Sequence, residues 1–558
     1  MSRSLTGWLA VLGLAGFTLL APKPAAAWDP STTHQALLEA AITRSALHLR
    51  WMDASGLERG VFSPVRLDPA RLSPAQLRLL RQAIAGAHAD SGALPLGGPG
   101  ACPSASAPAE TQLFCVEQDL WEHSALGWVR LGMLAEVTPT ARHIHHFLDR
   151  AQLDAARWSD EELPGSLLRT RQARSNGEPR AGIATRTNFD GAAPSALSWL
   201  EDPADPLAPP QTFAHLAAAS LATSEAERQH ELALALLGVG ALLHVVQDLS
   251  VPAHARGDAS AFFAPLSPAA GDRGLPLQEF VRVEYGRAEL PGVGRPATAG
   301  APTGEPLAAT LIGHLLGDPD RGYEGLAQLA ARRYLSESSV PAPAYLDTSL
   351  SPIEAATVLL GDAPELDPVE IDGAVLSPWP AERGYLLTPT GRALAAFDTD
   401  LDGRIRPYLD ETCYRDAAAN LLPAARDATR SILDLLWPAW PATRKTGAGI
   451  SVTVPAEWTG ATLTVLIEAG DGERRPLSEQ ALASDAATEV AVDVTGLAAD
   501  ERVYLVLQAE RVGDLPVILE QRLDTLVETS ATGSSSNPAG DTEPASETIE
   551  IDVQPFER

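Results

Sequence analysis

The sequence predicts a mainly α protein: a helical bundle followed by a small β-sandwich-like domain and an acidic tail. Three observations carry that prediction. From Glu231 to Gln247, the residues Leu232, Leu234, Leu236, Leu237, Val239, Leu242, Leu243 and Val246 make a helix apolar nearly all round, which belongs at the centre of a bundle. After Thr443 the texture changes to alternating and β-branched runs. Beyond about Val527 the chain is mostly Ser, Thr, Gly, Pro and acid, which cannot bury a core.

The elements follow in order. Arg3, the apolar run Trp8 to Ala21 and the small residues Ala25-Ala26-Ala27 read as a signal peptide over 1–27, cleaved after Ala27. That run is too short to span a bilayer comfortably, and no second one is long enough, so the mature chain is expected to be secreted or periplasmic without a transmembrane anchor. Residues 28–443 form the helical domain. Ala36 to Ile42 follow Ser31-Thr32-Thr33, which can cap a helix start. Residues 91–110 are rich in Gly, Pro, Ala and Ser and read as a loop. Helical spacing returns over 111–153, then over 307–335 and 414–437, with Pro-rich breaks at 201–210 and 289–305. Runs at 450–454, 462–467, 490–494 and 503–507 place the β-sandwich-like domain at 444–527, ahead of a disordered acidic tail over 528–558.

Composition narrows the function. A chain of 558 residues exceeds one ordinary core, and 45% apolar with 20% charged residues is a globular balance. The formal net charge of -30 weighs against a protein that grips long nucleic acids, because phosphate affinity leans on Lys and Arg; a local metal site can still hold a phosphate. Cys102, Cys115 and Cys413 include no Cys-x-x-Cys pair, which argues against a cysteine zinc site. In an oxidising compartment Cys102 and Cys115 could close the loop between them.

The chemistry concentrates in His244 to His254. His244 and Asp248 are four apart and share a face of the apolar helix. An ionised Asp there is costly without a positive partner, and no Lys or Arg follows before Arg256. Either a metal ion or a buried His-Asp hydrogen bond answers that need. Pro252 is expected to end the helix, with His254 just beyond. A second cluster, Arg142-His143-Ile144-His145-His146-Phe147-Leu148-Asp149, offers three imidazoles, suited to zinc or to a polar surface turn. At the predicted new N-terminus, the α-amine and carbonyl of Trp28 can chelate a metal, with His34 close by.

Trp after the cleavage site, a nearby His, a His-Phe-x-Asp block and His-x-x-x-Asp-x-x-x-Pro-x-His, in this order, resemble the zinc-dependent phospholipase C and S1/P1 nuclease family, most closely its bacterial phospholipase C-like branch. The resemblance spans roughly residues 28–440 and includes Asn420-Leu421-Leu422-Pro423-Ala424 in the late helix. It implies a zinc cluster of two or three ions held by Trp28, His34, His146, His244, Asp248 and His254. His146 is preferred over His143 and His145 because it precedes Phe147-Leu148-Asp149. The implied activity is hydrolysis of a phosphodiester, with phospholipid as the first substrate class, by attack of a metal-activated water on phosphorus.

Two positions depart from the family pattern. Val137 stands where a ligand Asp and general base is expected; Glu136, beside it, either substitutes in the catalytic role together with Asp248 or faces solvent. Gly274 and Gln278 stand where a His and a carboxylate are expected, with Glu279, Asp258 and Asp272 nearby. These departures keep open a zinc-binding secreted protein without turnover. An S1/P1-type nuclease is a further alternative, which would want a basic and aromatic base pocket. Asp398, Asp400 and Asp402 begin an EF-hand-like loop that could take calcium, but Leu409 stands at its twelfth position, with Asp410 and Glu411 too late. His123, on a predicted helix, and His215 and His314, among aliphatics, read as structural. The partner of the β-domain is not legible.

Overall fold

The computed structural model describes residues 32–42, 44–54, 57–90, 121–137, 142, 145–148, 195–255, 277–284, 306–336, 375–378, 384–388, 390–399, 405–446, 449–492, 497–511 and 515–525. The predicted signal peptide, Trp28, His143, Cys102, Cys115, Gly274, Asp400, Asp402, the 91–110 and 289–305 loops and the acidic tail lie outside these residues. The described part combines helices with small antiparallel sheets.

The central helix runs Glu225–Asp248, and from Ala233 onward every residue is buried. Its start is set by Ser224, whose hydroxyl accepts from the Glu227 amide, and by Glu225 and Glu227 in the positive first turn. Contrary to the expectation that no second run is long enough to span a bilayer, this helix is long and apolar enough by length and composition, but 89% of its apolar window is buried inside the fold, with helices packed round it. Helix Ala125–Glu136, capped by Ser124, lies along it. Here the backbones nearly touch: a Cβ on Gly132 would run into the Leu237 carbonyl, and one on Gly240 into the Val129 carbonyl. Helix Pro209–Leu221 packs on another side. The closing helix Glu411–Leu436 lies against helix Thr33–Ile42 and the central helix.

Several expectations change at this level. The 111–153 region is not continuously helical: His123 sits on strand β2 (Glu122–Ser124), opposite Val65 of β1 (Pro64–Arg66), and packs edge-on against Trp128. A three-residue strand is too short to show alternation, which is why it read as helix. Pro252 does not end the central helix. The helix stops at Asp248, and Pro252 opens a short turn of helix, Pro252–Ala255, that carries His254, as its fixed φ allows at a first position. The 307–335 region divides into helices Leu311–Leu316 and Leu326–Arg333.

A four-stranded antiparallel sheet, in order β3 (Val375–Pro378), β4 (Gly384–Leu387), β5 (Ala393–Thr399) and β6 (Ile405–Tyr408), was not anticipated. Asp398 belongs to β5, and Leu409 is buried. Asp410 caps the closing helix, accepting from the Thr412 and Cys413 amides and from the Tyr385 hydroxyl, so its carboxylate already serves the fold.

The last strands form two sheets, β10-β9-β12-β13 and β11-β8-β7. They are β7 (Ala442–Thr446), β8 (Gly449–Thr453), β9 (Trp458–Glu468), β10 (Arg474–Ala481), β11 (Ala487–Ala491), β12 (Arg502–Arg511) and β13 (Pro516–Arg522). Period-two alternation sends Leu463, Val465, Leu505 and Leu507 of one sheet into the same buried cluster as Ile450, Val452 and Val490 of the other. Leu466, Tyr504 and Val506, on the opposite face, form a cluster of their own. There Arg474, 4.4 Å over the Tyr504 ring, bridges Glu468 and Glu520, and its amide donates to the Thr223 carbonyl between two helices.

Candidate metal centre

The central helix presents His244 and Asp248 one turn apart, both fully buried. His34 reaches them from the first turn of its own helix, His146 from the irregular stretch 145–148, and His254 from the short helix after the central one. All five side chains are excluded from water. They form two groups whose ligand atoms lie within 4.8 Å of one another, His34/His244/Asp248 and His146/Asp248/His254, with Asp248 common to both. The residues proposed from sequence therefore meet, apart from Trp28, which lies outside the described residues.

Hydrogen bonds fix which nitrogen His34 and His254 turn inward. Gln247 Nε2 donates to Thr429 Oγ1 at 3.1 Å, and that hydroxyl donates to the Ala425 carbonyl at 2.7 Å. This orients Gln247 Oε1 toward His34 Nδ1, 2.6 Å away, so Nδ1 carries the proton. His34 Nε2 is then a lone pair 3.0 Å from Asp248 Oδ1. Two acceptors at that distance need a cation or a second proton between them. His254 repeats the arrangement: its Nδ1 donates to the His146 carbonyl at 3.1 Å, which leaves Nε2 for a ligand role. His244 Nε2 lies 3.2 Å from Asp248 Oδ2, and its ring stacks on His34.

The electrostatics agree. Burial would raise the Asp248 pKa, but His244, His146 and His34 together hold its carboxyl well below the usual range. Burial, then the nearby His34, pushes His244 down to about 3, and burial pushes His254 down to about 4. Both are therefore neutral imidazoles near pH 7, the form that binds metal. Burial opposes charge on His146 too, yet Asp248 at 2.5 Å and Glu136 raise its pKa to about 9. Asp248, set among the buried nitrogens of His34, His146, His244 and His254, makes a donor set that fits a divalent cation, whose binding would displace the proton on His146.

Glu136 is the correction of most consequence. The alternative of a solvent-facing side chain does not hold: it is fully buried at the end of helix Ala125–Glu136. Its Oε1 lies 3.7 Å from His146 Nε2 and 3.6 Å from His145 Nδ1. Burial disfavours the carboxylate, but Arg142, His145 and His146 outweigh it and keep Glu136 ionised. Val137 caps the helix beside it and offers no ligand. Gln278 is buried on helix Leu277–Glu284. The sequence reading missed Gln247, Thr429 and Asp205. The one early signal for Gln247 was a polar residue inside an otherwise apolar helix.

Fold and site together define a largely helical protein, with an antiparallel β part, whose core carries buried His/Asp groups able to hold metal. No family model matches the chain, and no curated protein matches it. Among solved structures, the alpha toxin from Clostridium absonum aligns over 89% of this chain and 95% of its own, at 12% identity and a TM-score of 0.24. A likeness at that level carries no argument about fold or chemistry.

Proposed function

We propose that this chain is an exported zinc-dependent phosphodiester hydrolase of the phospholipase C type. The observation that carries the reading is the pair of buried His/Asp groups sharing Asp248, built from residues that the sequence resemblance names. Zinc bound there would supply Lewis acidity toward a phosphoryl oxygen and lower the pKa of a bound water. The chain's own part is to hold His34 and His254 with the correct nitrogen inward, to stack His244 against His34, and to keep water from the carboxylates. Trp28, at the N-terminus left by signal cleavage, completes the set. Glu136, ionised and aimed at His146, stands where it can accept a proton beside the centre. The substrate class is a phospholipid head-group ester, since the net charge of -30 disfavours a long polyanion.

A second reading, a zinc-binding secreted protein without turnover, is favoured by the complete burial of the five side chains and by Gln278 in place of a carboxylate. Zinc content of the mature protein, measured together with hydrolysis of a chromogenic phosphocholine diester, separates the two. Zinc with turnover that a chelator abolishes supports the hydrolase. Zinc without turnover selects the second reading, and no zinc removes both.

A further inference from the structure

Arg142 and Asp205 lie outside the set of ligands, yet they close a buried chain of charge that ends on Glu136. The Arg142 guanidinium meets Glu136 Oε2 at 2.5 Å through Nη2 and at 3.2 Å through Nε. Its other side reaches Asp205, with Nη1 at 2.9 Å from Oδ2 and Nη2 at 3.0 Å from Oδ1. Asp205 is itself fixed, because Oδ1 accepts from the Leu207 amide at 2.9 Å in the turn leading into helix Pro209–Leu221. Asp205, 63 residues from Arg142, thus anchors one face of the guanidinium while the other holds one oxygen of Glu136.

The consequence lies in what the second oxygen is left to do. Glu136 Oε1 is buried and has no hydrogen-bond partner among the described residues. It faces the nitrogens of His145 and His146 instead. A carboxylate at a helix C-terminus meets the negative end of the dipole, so without a cation it would be costly there. A planar fork that takes one oxygen and leaves the other can both neutralise the site and aim the acid.

We propose that Arg142, anchored by Asp205, is a positioning residue that aims Glu136 Oε1 at the metal centre. Glu136 has one more methylene than an aspartate and starts from the position before Val137, so it needs this external restraint to reach the centre in one orientation. The inference rests on the zinc-dependent reading above, and metal retention tests it without reliance on turnover.

The experiment is zinc content and chelator competition on the mature full-length chain, with circular dichroism as a fold check. The variants are Glu136→Gln, Arg142→Gln, Asp205→Asn and the double variant Glu136→Gln/Arg142→Gln. Arg142→Gln is expected to lose about 10–100-fold in zinc affinity, the usual cost of removing an outer-shell partner. Asp205→Asn, which keeps the guanidinium, should lose less in the same direction and decides the matter should Arg142→Gln not fold. In the double variant the loss should equal that of Glu136→Gln alone, because Arg142 acts through Glu136. Wild-type retention in a folded Arg142→Gln or Asp205→Asn chain, or losses that add in the double variant, overturn the positioning role and leave the zinc reading intact. A wild-type chain without zinc overturns both.

Discussion

Gln247 Oε1 accepts the Nδ1 proton of His34 at 2.6 Å, across 213 residues of chain. That bond decides which nitrogen His34 turns toward Asp248. Gln247→Leu keeps the helix and the volume but removes the acceptor. On the zinc-dependent reading proposed above, metal affinity should fall about 10–100-fold, as for other partners that orient a ligand imidazole. Chelator competition measures it; an unchanged affinity would mean that the ring is held by packing alone.

Asp248 serves both groups, so Asp248→Asn should empty the centre rather than thin it. Binding at a hundredfold excess over Kd contributes about 2.7 kcal/mol to stability. In the wild type, chelation should therefore lower the melting temperature, and in Asp248→Asn it should have no effect. A variant that still melts lower with chelator would show metal held elsewhere.

His314 lies apart from the centre and gives a clean pH test. Its Nδ1 donates to the Thr310 carbonyl at 2.7 Å, and its Nε2 lies 2.7 Å from the Ser431 hydroxyl. Burial pushes its pKa down to about 4, against about 6.5 when unfolded. The unfolded chain therefore binds the extra proton more readily between those values. Its contribution is fully present above about pH 6.5 and is lost as pH falls toward 4, by up to about 3 kcal/mol. In His314→Gln the acid limb of stability, followed by urea titration from pH 7 to 4, should flatten. A limb of unchanged slope assigns the loss to other groups.

Arg474 bridges Glu468 at 2.7 Å and Glu520 at 3.0 Å with almost no exposure. Arg474→Met leaves two acids facing each other without their cation. Stability should drop by about 3–5 kcal/mol, the scale for breaking a buried pair on one side. Denaturant unfolding followed at the β-domain would register it, and a change below about 1 kcal/mol would show that water reaches these acids.

The sequence made His244 and Asp248 legible because two polar residues one turn apart interrupt an apolar helix, and such a helix has one place to go. His34, His146 and His254 were legible only through their order along the chain, since no spacing rule joins residues 34 and 254. Arg142 and Asp205 were not, because an arginine beside three histidines and an acid in a Pro-rich turn each read as surface. Strand β10 escaped notice for a different reason. Its residues are mostly polar and exposed, so an edge strand there carries no alternation to read. In the β3–β6 sheet three strands hold only four residues each, and β5, Ala393–Thr399, opens on a run of apolar residues without alternation, so period two does not show.

The contact of Gly132 and Gly240 with the facing backbones has a consequence for tolerance to change. Glu136 follows Gly132 by one turn, and His244 and Asp248 follow Gly240 by one and two turns, on the same helix faces. The two glycines therefore act as gauge blocks: the thickness of a hydrogen atom sets how far the carboxylates stand from one another. A single methyl group at either position would wedge the helices apart and widen the centre without altering any group that touches it. Residues with no chemistry of their own thus set its dimensions.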